Sequence, residues 1–254
     1  MQILLQIYIL SARELLRNRI GLILLFLIPG FFLSIAIWTA GEGALPIKLF
    51  FQNQTEIILV TQQKVSLIFI AASVSGFLTA FYANILFHKN FEYQKYCISL
   101  GLKPSLMIIG KFMFFISIVI VMAIFISVII SLVIPIEQKL YSFAGFVLLG
   151  VVYGAYGGIV GVINKDYMVA LLLIVLLANL DIGWLQNPVF YSYAQETEII
   201  HWLPAFYPSQ FILTSTFTNL NNYWSVLMSF LYILSFLLLL FLIMYLKTRN
   251  LYHE

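Results

Sequence analysis

Glu198 and His201 stand in an E-x-x-H spacing, with Glu196 just upstream. On a helix this places a carboxylate and an imidazole on one face, an arrangement that suits metal binding. The chain has no H-E-x-x-H, no second ligand cluster and no cysteine pair, so these groups read first as polar residues of a membrane interface and no metal site is assigned. Asp181, close to Asn179, is the one acid near a long apolar run; an ionisable group there is a functional candidate, here a polar pathway or outer gate. Ser73, Ser75, Ser117 and Ser127 have no ionisable partner in their own segments, which disfavours nucleophilic catalysis. The single Cys97 cannot form an intramolecular disulfide. No G-x-x-x-x-G-K-[ST] loop occurs, so any energy from ATP must come from a partner.

The elements that would position these groups are apolar. Of 254 residues, 63% are hydrophobic and 9% charged, with a mean hydropathy of +1.03. A soluble domain carries about 25% charged residues, so this composition lacks the polar surface for a water-exposed fold. It predicts an all-α integral membrane protein in one domain. At about 20 residues per span, six transmembrane helices are expected: 20–40 (with Pro29 inside it), 65–87, 112–135, 141–163, 167–185 and 223–246. The runs are continuous rather than alternating, which excludes a transmembrane β-barrel. The middles of all but the fifth span lack acids and bases, which disfavours ion-coupled transport.

Ten of the thirteen basic residues precede the first span, join spans two to three and four to five, or follow the last. They are Arg13, Arg17, Arg19, Lys89, Lys95, Lys103, Lys111, Lys165, Lys247 and Arg249. Lys48, Lys64 and Lys139 fall on the other side. The positive-inside rule then places both termini in the cytoplasm. The charge bias fits a multi-pass protein of a bacterial plasma membrane.

Residues 1–19 carry their basic groups after the apolar stretch, unlike a signal peptide, so they are expected to remain attached. Gln2, Gln6, Arg13 and Arg17 share one helical face, which predicts an amphipathic helix in the cytoplasmic interface; the alternative is an extension of the first span. In the polar segment 88–111, a short helix over Phe91 to Leu100 is expected to end at Gly101, with a new helix starting near Pro104. That short helix is a candidate docking element for a soluble partner, against the plainer reading of a solvated loop. The aromatic-rich segment 186–222 reads as one or two short helices dipping into the outer leaflet, broken at Pro204 and Pro208.

Span four repeats glycine at every fourth residue, Gly150, Gly154 and Gly158, with Gly157 and Gly161 beside them. Such spacing leaves a groove for a closely approaching helix. Ala72, Gly76 and Ala80 give span two a milder version. The partner helix could lie in this chain or in a second protomer.

The order of parts resembles the membrane subunit of ATP-binding-cassette exporters, the ABC type-2 permease family, over essentially the whole chain. The nearest local likeness is Glu92 followed by Ser99-Leu100-Gly101-Leu102-Lys103-Pro104-Ser105 and Gly110-Lys111, similar to the family's cytoplasmic coupling region. Trp202-Leu203-Pro204 and Tyr207-Pro208 look like its outer segment. Tyr93-Gln94-Lys95-Tyr96 stands where the family often has Arg-Glu-x-Gly-Thr.

The resemblance implies a half-transporter working with a second permease, identical or homologous, and two cytoplasmic ATPase subunits. These would bind ATP and Mg; no cofactor is bound by this chain and nucleic acid is not a partner. It implies coupling contacts at Phe91, Glu92, Tyr93, Lys95, Tyr96, Leu100 and Gly101, and an outer re-entrant segment at Trp202, Pro204, Tyr207 and Pro208. Substrate would pass between protomers along spans one, two and five, and a lipid, amphipathic peptide or hydrophobic drug suits so uncharged a path. The competing classes are a membrane enzyme around Glu196, Glu198 and His201, and a non-catalytic assembly or immunity protein.

Overall fold

A computed structural model describes residues 2–17, 19–51, 54–88, 101–189 and 198–250. Helix dominates, as apolar surroundings require: an α-helix satisfies its backbone groups within one segment. Helices α1 (Gln2–Arg17) and α2 (Arg19–Thr39) lead into strands β1 (Ala44–Phe50) and β2 (Thr55–Thr61), followed by α3 (Gln62–His88). Then come α4 (Pro104–Val133), α5 (Lys139–Ile163) and α6 (Tyr167–Ala178), which continues as a π-helical turn, Asn179–Leu185. Helices α7 (Glu198–His201), α8 (Phe206–Phe217) and α9 (Tyr223–Asn250) complete the order.

Among the described residues, five helices are long and apolar enough to cross a membrane: α3, α4, α5, the continuous Tyr167–Leu185 and Tyr223–Lys247 within α9. The architecture is compatible with a mostly helical, multi-pass membrane protein. The new helix does start at Pro104, where a proline's missing N–H costs nothing.

Helix α5 is the centre, with 83% of its most apolar stretch buried against 11% for α9. Apolar burial between helices supplies little drive in lipid, so close van der Waals packing must hold the bundle. The glycines allow it. A Cβ on Gly157 would stand 2.1 Å from the Ala80 carbonyl oxygen of α3, and one on Gly154 would stand 2.2 Å from the Phe115 ring of α4. Gly150 faces Val119 of α4, and Gly158 faces Leu240 of α9 and Phe87 of α3. Gly76 abuts Ile182 and Tyr153, while Ala72 and Ala80 are buried. The glycine groove of α5 is thus filled by helices of the same chain.

The antiparallel hairpin is an element that the sequence reading did not anticipate between the first two apolar runs. Its register pairs Ile47 with Ile58 and Leu49 with Glu56. Ile47 and Leu49 are buried, whereas Ile57 and Leu59 of β2 face outward. Alternation of this kind marks a strand buried on one face.

Pro208 departs from the sequence expectation. It does not break the aromatic segment but lies in the first turn of α8, where no intrahelical donor is needed. Pro204 does sit in the turn between α7 and α8.

Candidate functional site

A buried polar network surrounds the π-helical turn. A π turn carries an extra residue relative to α-helix and shifts the facing of the side chains beyond it. Here it directs Asp181 inward, where the residue is only 7% exposed. The Tyr153 hydroxyl of α5 donates to one carboxylate oxygen of Asp181, as does the backbone N–H of Ala205 at 3.1 Å. Gln186 Nε2 donates to the other oxygen at 2.9 Å. The backbone N–H of Gln186 also donates to the Asp181 carbonyl at 3.1 Å, closing the turn.

Ala205 is the N-cap of α8 and offers no side-chain acceptor of its own. A carboxylate at this position meets the positive end of the helix dipole, an interaction worth about 0.3–1 kcal/mol at a surface and up to ~2 kcal/mol when partly buried. Asp181 therefore joins α5, the end of α6 and the start of α8.

Helix α8 is buried along nearly its whole length despite carrying Ser209, Gln210, Thr214, Ser215 and Thr216. Its end is satisfied from the start of α5: the N–H groups of Glu137 and Gln138 donate to the carbonyls of Thr216 and Ser215. Gln138 Nε2 reaches the Thr218 and Leu220 carbonyls. The hairpin is fastened to the same helix through Gln210 and to the start of α9 through Asn222. Gln210 Oε1 accepts from the Phe50 N–H at 3.2 Å, and Asn222 Nδ2 donates to the Phe50 carbonyl at 2.8 Å.

The opposite end of the bundle is finished by basic side chains. Lys111 of α4 is 6% exposed and donates to the Leu86 carbonyl of α3 at 3.1 Å. Lys247 donates to the Val162 carbonyl, and His88 Nδ1 lies 2.8 Å from the Gly161 carbonyl. These carbonyls belong to final helical turns, which lack intrahelical donors. Glu14 of α1 interacts electrostatically with Lys111. Lys111, read from sequence as part of a polar connecting segment, is instead buried within α4.

Helix α1 lies against this end of α4 through Tyr8, whose hydroxyl donates to Ser117 Oγ at 3.1 Å and whose ring meets Phe114 edge-on at 5.5 Å. Ile7 occupies the space that Gly110 leaves open. Arg13, Arg17 and Gln6 remain exposed beside Leu5, Leu10 and Leu16.

The expected coupling residues Phe91, Glu92, Tyr93, Lys95, Tyr96 and Leu100 lie outside the described residues. Gly101 has φ +89°, the left-handed conformation that glycine adopts without strain. Asn179 does not join Asp181: it is exposed, and its side chain donates to the Val175 carbonyl at 2.8 Å. Trp202 is exposed, while its carbonyl accepts from the Tyr232 hydroxyl at 2.9 Å. The Tyr207 ring packs edge-on against Phe206 at 5.2 Å.

Glu196 lies outside the described residues, and Glu198 begins α7. The His201 ring packs 4.9 Å from Phe50 and 4.4 Å from Phe206. Among the described residues, no group of three or more His, Cys, Asp or Glu gathers.

Sequence reasoning missed Tyr153, Gln186 and Ala205 as partners of Asp181. A tyrosine inside a glycine-rich apolar helix was the available signal, because a buried phenol needs an acceptor. Compared with known proteins, the chain matches no family model and no curated protein.

Proposed function

We propose that the chain is the permease subunit of an ATP-binding-cassette exporter, with six spans and both termini in the cytoplasm of the plasma membrane. The sixth span is α2, which at 21 residues and a rise of about 1.5 Å per residue reaches roughly 30 Å. The basic end then faces the cytoplasm and the hairpin end faces outward.

The observation that carries the reading is the order of elements along the chain. A separate N-terminal helix lies against α4 at the basic end, a Gly101–Pro104 break leads into α4, and a buried short helix interrupts the path between α6 and α9. This order supports the ABC type-2 resemblance because these three pieces stand in the sequence order on which that resemblance rests.

In this reading the segment Phe91 to Gly101 docks on a cytoplasmic ATPase that binds ATP and Mg. Glu92 and Lys95 make polar contacts, and Tyr93, Tyr96 and Leu100 make packing contacts. Closure of two ATPase subunits would move α3 and α4 through that segment. A second permease, identical or homologous, would complete the path. Helices α2 and α6 expose apolar residues such as Phe31, Phe32, Leu172 and Leu176, which suit contact with a partner helix or a hydrophobic substrate. Asp181, with Asn179 nearby, would belong to the outer gate.

The test is purification from native membranes in mild detergent, comparing wild type with a Tyr93→Ala, Tyr96→Ala, Leu100→Ala triple variant. The expected outcome is an ATPase subunit that accompanies wild type and not the variant. Wild type purified without any ATPase, under conditions that preserve a known transporter complex, overturns the proposal.

A further inference from the structure

We propose that a single buried water molecule bridges the π-helical turn to the start of α8, bound by the carbonyl oxygen of the Gln186 side chain and the hydroxyl of Ser209. Both groups line one cavity of about 10 Å³, whose remaining walls include Phe69, Ala72, Ile182 and Pro188. Gln186 is 2% exposed and Ser209 is 6% exposed. Gln186 Oε1 and Ser209 Oγ are buried atoms without a protein hydrogen-bond partner.

The orientation of the amide is fixed by chemistry. Gln186 Nε2 faces a carboxylate oxygen of Asp181 at 2.9 Å, and only the amide nitrogen has hydrogens to donate there. The carbonyl oxygen must therefore be the atom left without a donor. Ser209 lies in the first turn of α8, four residues after Ala205. A cavity of this size holds one water, and a buried water typically uses between two and four polar partners. Water can donate to Gln186 Oε1 and either donate to or accept from Ser209 Oγ, so one molecule satisfies both atoms. Leaving them dry would cost the desolvation of two buried polar groups.

The bridge gives α8 a second attachment to the end of α6. The first is direct, from Ala205 N–H to Asp181; the second runs from Gln186 through water to Ser209. Tyr153, Asp181, Gln186, water and Ser209 then form one continuous network from α5 to α8. The site is independent of the transport reading.

The test combines a map with a double-mutant cycle on the full chain in lipid nanodiscs. A high-resolution cryo-electron microscopy map is expected to show an isolated density peak at about 2.6–3.2 Å from both atoms. Ser209→Ala is expected to lower the apparent Tm by about 2–4 °C, because it strands the Gln186 carbonyl. If Ser209 Oγ were dry, the same substitution would remove an unsatisfied hydroxyl and raise the Tm. Gln186→Met combined with Ser209→Ala is expected to be less harmful than the sum of the single changes. An additive cycle, an unchanged or raised Tm for Ser209→Ala, direct contact between the two side chains, or Tm that depends on sodium at fixed ionic strength each overturns the proposal. The last outcome would indicate a bound cation instead.

Discussion

The two ends of the bundle terminate their helices with opposite chemistry. At the basic end, α3 and α5 present carbonyls, and Lys111, Lys247 and His88 meet them with nitrogen atoms. At the hairpin end, the buried α8 presents the N–H of its N-cap, and the Asp181 carboxylate meets it. The sign of each finishing group follows from the direction of the helix it serves. The two solutions also differ in stiffness. Lysines hold through flexible chains, whereas Asp181, Gln186, Gln210 and Asn222 are short amide or carboxylate groups fixed by burial. On this ground the basic end is expected to yield more readily than the hairpin end.

Breaking the spine that both ends share should have the largest effect. Gly157→Ala places a methyl 2.1 Å from a backbone oxygen, which no rotamer change relieves. Loss of about 3 kcal/mol or more is expected, at or beyond the upper range for an overpacked core. Thermal unfolding in detergent followed by size exclusion should show little folded protein. Gly30→Ala, with open space around the new methyl, should leave the profile unchanged.

Asp181→Leu attacks the hairpin end alone. It strands the Tyr153 hydroxyl, the Gln186 amide and the Ala205 N–H. At about 1–3 kcal/mol for each stranded group, a total near 3 kcal/mol is expected after relaxation. Asp181→Asn should cost less, because its oxygen still accepts. Hydrogen exchange should rise first in α8 and the hairpin, while the protection of α3 and α4 near the basic end changes little. Equal loss at both ends would contradict that difference.

Much of the helical framework was legible because continuous apolar runs and Pro104 are local signals. The spacing of Gly150, Gly154 and Gly158 marked a packing groove, but could not say which helix fills it. Neighbours such as Val119 and Leu240 come from distant segments and leave no local trace. The hairpin was hidden because Leu45, Ile47 and Leu49 look like a fragment of the surrounding apolar sequence. The Asp181 network was hidden for another reason. Its acceptor was visible, but the π turn that rotates Asp181 inward and Asn179 outward depends on tertiary packing. Lys111 illustrates the same limit at the basic end: a lysine beside a cluster of lysines reads as solvated until α3 supplies a buried carbonyl.

Lys111→Met tests whether the basic end is as yielding as its chemistry suggests. The stem is replaced by a side chain of similar shape, and the Leu86 carbonyl loses its donor. A cost of about 1 kcal/mol is expected, below that of Asp181→Leu. Exchange should increase at the end of α3 and in α1, whose Glu14 interacts with Lys111. A loss as large as that of Asp181→Leu would make the basic end rigid and remove the contrast.

The smallest effect should come from Tyr232→Phe, which sharpens the contrast within the hairpin end itself. The hydroxyl reaches the Trp202 carbonyl at 2.9 Å, but Trp202 is 80% exposed and the tyrosine only half-buried. Water can replace the lost bond, so no buried group is stranded and a cost under about 0.5–1 kcal/mol is expected. The ring itself remains to pack against Phe236 at 6.2 Å. Thermal unfolding should therefore barely move, while exchange in the turn before α8 rises. If Tyr232→Phe instead matched Asp181→Leu, the outer segment would be held from α9 rather than through the carboxylate, because the two substitutions differ chiefly in which helix anchors it.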